Sequence, residues 1–223
     1  MAKQDRAIRT RRTILAAAAS VFEERGYQAA TITDILGMAG VTKGALYFHF
    51  QSKEDLAYGV MAEQGRQMIV PSRTCKVQEV VDIIILHTYR LQTDPMVRAG
   101  VRLTLDQQAS DLNRASPFQD WVSVIADLFE QAQRQGELLP HVVPRETAEF
   151  LVGAYAGTQA MSQAISNYAD LNQRVLVMLR HVLPNVVVSS VLTTIHLSPE
   201  RGESIYAEAA EHADRAALAD ASA

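Results

Sequence analysis

The sequence predicts an all-α protein, a small N-terminal head followed by a larger helical body. Three observations carry that expectation. Apolar residues recur at i, i+3, i+4 and i+7 along most of the chain. No segment alternates apolar and polar residues as a half-buried strand does, and no Asn-Gly or Asp-Gly pair marks a hairpin. Helix start and stop residues punctuate the pattern throughout.

The elements follow in order. Ile8, Leu15, Ala18 and Phe22 mark a first helix, which Gly26 stops. Thr31 and Asp34 stand at capping-box spacing before the stripe Ile32, Ile35, Leu36 and Ala39, and Gly40 interrupts it. A third short helix starts at Thr42. Ser52 and Asp55 repeat the capping spacing and open a fourth through Leu56 and Val60. Beyond residue 70 the helices lengthen. Val77, Val81, Ile84, Thr88 and Leu91 share a face, and Asp94-Pro95 reads as an N-cap with proline at the first helical position. Ser116-Pro117 reads likewise and opens a helix bearing Trp121, Ile125, Leu128 and Ala132, which Gly136 ends. Pro144 opens a long helix with Leu151, Ala154, Thr158, Met161 and Ile165 on one face. Leu171, Val175, Met178 and Val182 mark the next, stopped by Pro184, and an Ala- and Glu-rich helix with a frayed end begins near Ser198.

Composition bounds the function. The 223 residues are 48% hydrophobic and 21% charged, an ordinary soluble globular balance with material for a core. No run approaches eighteen apolar residues, and the first residues are charged rather than signal-like. One cysteine, Cys75, excludes an intrachain disulfide and points to a reducing, cytoplasmic setting. The net charge of −4 argues against a protein that coats nucleic acid along its whole length. It is unevenly placed. Residues 1–56 carry eight Lys/Arg against six Asp/Glu, and the remainder carries thirteen against nineteen. Only the head suits an anionic partner.

The segment Thr31–Phe50, TITDILGMAGVTKGALYFHF, places two short helices around a tight turn at Gly40. That is helix-turn-helix geometry, in which the second helix enters the major groove. Val41, Ala45 and Leu46 pack inward, leaving Thr42, Lys43, Gly44, Tyr47 and His49 more outward. Lys43 suits a base edge or phosphate, and Tyr47 a phosphate or thymine methyl. A glycine inside a helix costs about 1 kcal/mol against alanine, and at Gly44 it allows close approach to a DNA backbone. Such helix pairs also occur in all-α proteins that bind no DNA, and Tyr47-Phe48-His49-Phe50 also reads as plain core. Lys3, Arg6, Arg9, Arg11 and Arg12 add a basic N-terminal arm able to reach phosphates or a minor groove.

The stretch GVTKGALYFHFQSKEDL, Gly40 to Leu56, resembles the signature of TetR-type repressors. RAIRTRRTILAAAASVFEERGYQAATITDIL, DPMVRAGVRLTLDQQ, PFQDW and GELLPHV resemble the γ-butyrolactone autoregulator receptors of actinomycetes, the ScbR and FarA kind, so that the likeness covers most of the chain. It implies a homodimer with a DNA-binding domain at 1–53 and a ligand-binding and dimerisation domain at 54–223. It implies that Thr42, Lys43, Gly44, Tyr47 and His49 are recognition-helix contacts and that Thr33 and Lys53 touch the DNA backbone. It implies a palindromic operator released by a γ-butyrolactone-type signal, and control of antibiotic production. The pI of about 5.9 suits a true receptor better than the basic pseudo-receptors of that family. The alternative is a TetR-type repressor that senses an antibiotic, a butenolide or another small apolar effector, or a pseudo-receptor.

Polar residues that interrupt apolar stripes are candidates for a ligand pocket: Gln64, Thr88 and Thr158, with the single tryptophan, Trp121. A buried helical threonine also satisfies itself on its own backbone, and a lone tryptophan also serves as core. The resemblance favours Trp121 most, then Gln64 and Thr158. Gly153 and Gly157 serve either helix packing or ligand approach. His87 reads as a satisfied core residue and Cys75 as inert. No G-x-S-x-G elbow, P-loop or H-E-x-x-H occurs, and the six histidines are scattered. The expectation is therefore no enzyme, no metal and no cofactor.

Overall fold

The computed structural model describes residues 2–66, 70–106 and 112–220. Among them the helices are, in order, α1 (Ala2–Ala29), α2 (Ile32–Ala39), α3 (Lys43–His49), α4 (Lys53–Arg66), α5 (Lys76–Thr93) and α6 (Pro95–Leu105). They continue with α7 (Ala115–Arg134), α8 (Pro144–Ser166), α9 (Leu171–Val182), α10 (Ser189–Leu192) and α11 (Arg201–Asp220). No strand occurs among the described residues; Leu138 and Val187 form a lone antiparallel bridge. The chain is all-α. It packs as two compact units, Met1–Gln67 with Asp94–Pro117, and Met68–Thr93 with Phe118–Ala223. Packing therefore cuts the chain elsewhere than after residue 53, because α4 and α6 join the head.

In the first unit α1 is the spine. Ile14, Leu15, Ala18 and Phe22 are buried along one face, each apolar side chain of leucine size contributing about 1.5–3 kcal/mol. The helix begins earlier than its apolar stripe suggests. Ile8 is 46% exposed, so the stripe starts in earnest at Ile14. Helical geometry breaks at Gly26 (φ 76°, ψ 169°), the expected stop. Ile35, Leu46, Phe50, Leu56, Val60, Ala99 and Leu103 complete one core drawn from α1, α2, α3, α4 and α6. Arg98 pairs with Glu23 at 2.6 Å and Arg102 donates to the Glu23 carbonyl, fastening α6 to α1.

In the second unit α5 is buried around most of its circumference, from Val77 to Leu91, with Gln78, Asp82, His87, Thr88 and Arg90 buried among its apolar residues. The Glu137 carboxylate caps it, accepting from the Lys76 and Val77 amides at 3.0 and 2.8 Å. Asp82, fully buried, accepts from Arg201 Nε and Nη2 at 2.8 and 2.7 Å and from Arg73 Nε at 2.8 Å, which ties the start of α11 to α5.

Two sequence expectations are corrected. Helix α7 starts at Ala115, whose amide donates to Asn113 Oδ1 at 3.2 Å, so Ser116 lies inside the first turn instead of capping it. The stripe expected on α8 does not share one face. Leu151 is buried, whereas Met161 and Ile165 are 53% and 65% exposed, and the covered side runs through Ala148, Leu151, Gln159 and Ser162.

Candidate functional site

The first candidate is the face of α3. Thr31 Oγ1 accepts from the Asp34 amide at 3.1 Å, and the Asp34 carboxylate accepts from the Thr31 amide at 3.2 Å, the reciprocal box the spacing predicts. The Thr31 hydroxyl, then Arg25 at 2.9 Å, hold the Asp34 carboxyl below the usual carboxylate range. Gly40 turns the chain in the left-handed region (φ 62°, ψ 29°), which glycine enters without the steric cost of a Cβ. Thr42 caps α3 by accepting from the Ala45 amide at 3.3 Å.

Leu46 and Phe50 enter the core and fix the rotation of α3 about its axis. That rotation leaves Thr42, Lys43, Gly44 and Tyr47 exposed together, with the Lys43 ammonium 5.9 Å from the Tyr47 ring centre. Among the described residues, nothing beyond the neighbouring residues and the helix's own backbone lies within 4 Å of where a Cβ on Gly44 would stand. The aromatic quartet divides. Phe50 is core, Phe48 is 79% exposed, and half-buried His49 lies edge-on to Phe48 at 5.0 Å. Thr33 is exposed on α2.

Arg6 and Arg9 are exposed and, with Thr10, Thr13 and Val41, border a groove of about 460 Å³. The basic arm is thus helical, and it brings two guanidinium groups beside the turn that precedes α3. Arg11 lies over the Phe50 ring at 5.1 Å. Lys53 is engaged within the protein. Its ammonium donates to the carbonyls of Tyr27, Gln28 and Ala30 at 2.9, 3.3 and 3.1 Å and sits 4.5 Å from the Tyr27 ring. Three protons meet three carbonyls, so this lysine caps the end of α1, and a phosphate contact requires giving one of them up.

The second candidate lies in the other unit. His87 is 5% exposed, and its ring centre is 5.1 Å from Trp121 and 5.6 Å from Tyr155. The Tyr155 hydroxyl is 3.1 Å from Thr88 Oγ1, which also donates to the Ile84 carbonyl at 2.8 Å. Thr88 and Trp121 therefore meet in one cluster, through His87 and Tyr155, neither of which the sequence reading placed there. Nor is His87 the satisfied core residue expected, because its Nδ1 is buried without a hydrogen-bond partner. Burial drives its pKa down to about 4, and the nearby Arg90 charge pushes the same way, so the ring is neutral at physiological pH. Burial raises the Tyr155 phenol, against the pull of its Thr88 bond. Gln159, one turn beyond Tyr155 on α8, also buries an unpartnered Oε1. The available signal was a histidine set directly after Ile83-Ile84-Ile85-Leu86.

Thr158 turns elsewhere. It donates to the Ala154 carbonyl at 2.8 Å, lies 3.6 Å from Met178 Sδ, and lines a groove of about 700 Å³ between α8 and α9 with Gly157, Met161, Arg174 and Val177. Gln64 is on α4, in the first unit, and its side chain lies outside the described residues. Burial raises the pKa of the Cys75 thiol, which keeps it protonated and unreactive. Among the described residues no cluster of His, Cys, Asp and Glu is placed to hold a metal, and no helix is long and apolar enough to cross a membrane.

Comparison with known proteins adds a second line. The model of bacterial regulatory proteins of the tetR family matches residues 14–58. The chain is 40% identical over 215 residues to the A-factor receptor protein of Streptomyces griseus, covering 96% of this chain and 76% of that one. Its fold matches TylP, a TetR regulator from Streptomyces fradiae, with a TM-score of 0.83 and 43% identity over 94% of this chain and 93% of that one. It also matches an ArpA-like γ-butyrolactone receptor, with a TM-score of 0.65 and 25% identity over 92% and 99% of the two chains.

Proposed function

The chain belongs to the TetR family of bacterial regulatory proteins, as a ligand-responsive regulator of transcription and not an enzyme, and from that premise we propose that it is a homodimeric repressor released from a palindromic operator by a γ-butyrolactone-type signal. Residues 1–53 read DNA; residues 54–223, of which α4 and α6 pack with that head, hold the ligand and the dimer surface. The protein acts in the cytoplasm, where its operator lies.

The observation that carries the DNA half is the face of α3. Lys43, Gly44 and Tyr47 stand exposed together, and among the described residues no other element comes within 4 Å of a Cβ added at Gly44. Lys43 reaches a base edge or phosphate, Gly44 admits the backbone, and Thr42, Tyr47, His49 and Thr33 flank them. Arg6 and Arg9 supply phosphate neutralisation and with it salt dependence. The ligand half is supported by the Thr88–Trp121–Tyr155–His87 cluster, which offers aromatic walls and a few polar atoms, the composition of a small-molecule site. Gln64 and Thr158 remain separate ligand candidates, Gln64 on α4 and Thr158 in the groove between α8 and α9.

Release is a population shift. The effector favours a conformation whose two recognition helices no longer match the half-site spacing, and it acts only through its preference for that state. The chain passes between the two units after residues 67, 93 and 117, so a change in the ligand-binding unit has three covalent routes to the DNA-reading one.

The test is a mobility-shift assay on DNA flanking the protein's own gene, with and without a 2-acyl-γ-butyrolactone. A shift that the lactone abolishes, and that Lys43→Ala weakens by ten- to a hundred-fold (about 1–3 kcal/mol) with the dimer intact, supports the reading. A lactone-resistant shift keeps the repressor and removes the effector class. Affinity indifferent to Lys43 removes that residue from the interface.

A further inference from the structure

His87 sits inside a buried helix, where a fifth apolar residue would continue the run from Ile83 to Leu86. Its Nδ1 has no partner although the residue is 95% covered. An unsatisfied buried polar atom costs about 1–3 kcal/mol, and a phenylalanine there would carry no such penalty. The ring is held between Trp121 and Tyr155, two half-buried aromatics. A second orphan, Gln159 Oε1, lies one turn from Tyr155. Polar capacity without partners is thus concentrated behind two aromatic rings that still reach the protein surface.

We propose that His87 is the polar anchor of the effector site, exchanging a hydrogen bond between its imidazole and a carbonyl or hydroxyl oxygen of a neutral, alkyl-bearing ligand that lies against Trp121 and Tyr155. The inference rests on the ligand-responsive reading above and names the group that selects the ligand. Neutrality follows from the surroundings. The histidine is uncharged at physiological pH, so it offers a hydrogen bond and no counter-ion. Bringing a carboxylate into the same enclosure carries a far larger desolvation penalty than bringing in a ketone or lactone. The anchor selects by polarity: a ligand lacking the oxygen leaves Nδ1 unpaired, whereas a longer or shorter alkyl tail changes affinity only gradually.

The full-length protein, labelled with ¹⁵N-histidine, is titrated with 2-hexanoyl-γ-butyrolactone, 2-decanone and decanoate. Binding is read by the fluorescence of Trp121, the single tryptophan, and by the ring ¹⁵N resonances assigned through His87→Phe. The expected result is that a neutral probe shifts the His87 Nδ1 resonance. His87→Phe then weakens that probe at least tenfold, His87→Gln recovers part of the loss, and operator binding is unchanged in both. Should His87→Phe fail to fold, the wild-type resonance and His87→Gln decide the matter. The proposal falls if Nδ1 is unmoved by both neutral probes, if His87→Phe binds them as tightly as wild type, or if decanoate binds more tightly than decanone. If decanone shifts Nδ1 and the lactone does not bind, the anchor stands and the lactone reading falls. If the lactone releases wild type and His87→Phe alike from DNA, the lactone reading stands and the anchor falls.

Discussion

Gly44 interrupts a seven-residue helix in a conformation that any residue adopts, and among the described residues nothing beyond the neighbouring residues and the helix's own backbone lies within 4 Å of an added Cβ. The fold therefore gains nothing from it. Gly44→Ala should raise stability by up to about 1 kcal/mol, read as a higher thermal midpoint, while operator affinity drops. A variant that is both more stable and equally tight on DNA would show that the glycine serves no close approach. His87 gives a second separation of roles. Its pKa is 6.5 when unfolded and about 4 in the folded protein. Between those values the unfolded chain binds the proton more readily, so stability present above pH 6.5 is lost as pH falls toward 4. Wild type should lose up to about 3 kcal/mol across that window relative to His87→Phe, measured by denaturant unfolding at each pH. Parallel pH profiles would mean that the ring is not held neutral. Arg90 and Tyr155 are the ionisable neighbours, and neither changes charge in this range.

Helix α2 stands on its capping box, and its eight residues are too few to be helical without help. Thr31→Ala removes the acceptor for the Asp34 amide and should cost about 1 kcal/mol, with a matching loss of operator affinity, because α2 braces α3 through the shared core. Loss of stability with unaltered DNA affinity would show that α3 holds its position without α2. This part of the molecule was legible in the sequence, because caps and turns are local: Thr31, Gly40, Thr42 and Asp94 all act within four residues. Burial is not local. The spacing of Leu151, Met161 and Ile165 on α8 looks like one buried stripe, yet only Leu151 is covered. Lys53 reads as a surface cation next to the DNA-reading helix until its three carbonyl acceptors are seen about 25 residues back in the chain. His87 reads as ordinary core, since no spacing rule reports that Nδ1 lacks a partner.

At the scale of the whole molecule, the exposed side of α8 demands a partner. Met161, Ile165 and Phe150 are 53%, 65% and 62% exposed, and Val177 on α9 adds another 43%. A Cβ on Gly153 or Gly157 would meet nothing within 4 Å, which leaves the backbone of α8 open to close approach by a second helix. Along the edge, Asp170 pairs with Arg174 at 2.7 Å and accepts from Ser162 and Ser166, and these partners, Arg174 foremost, hold its carboxyl well below the usual carboxylate range. An apolar centre with a charged rim is the anatomy of a protein–protein interface. If two copies meet here, operator affinity depends on it, because joining two half-site contacts strengthens binding by about 10²–10⁴ over one. Met161→Glu with Ile165→Glu places two carboxylates from each copy at that centre, where burying them unpaired is prohibitive. The double variant should run as a folded monomer in light scattering, with helical content intact, and lose about a hundred-fold or more in operator affinity. A dimer that survives both charges would put the interface elsewhere, and leave the apolar side of α8 without the partner that its exposure requires.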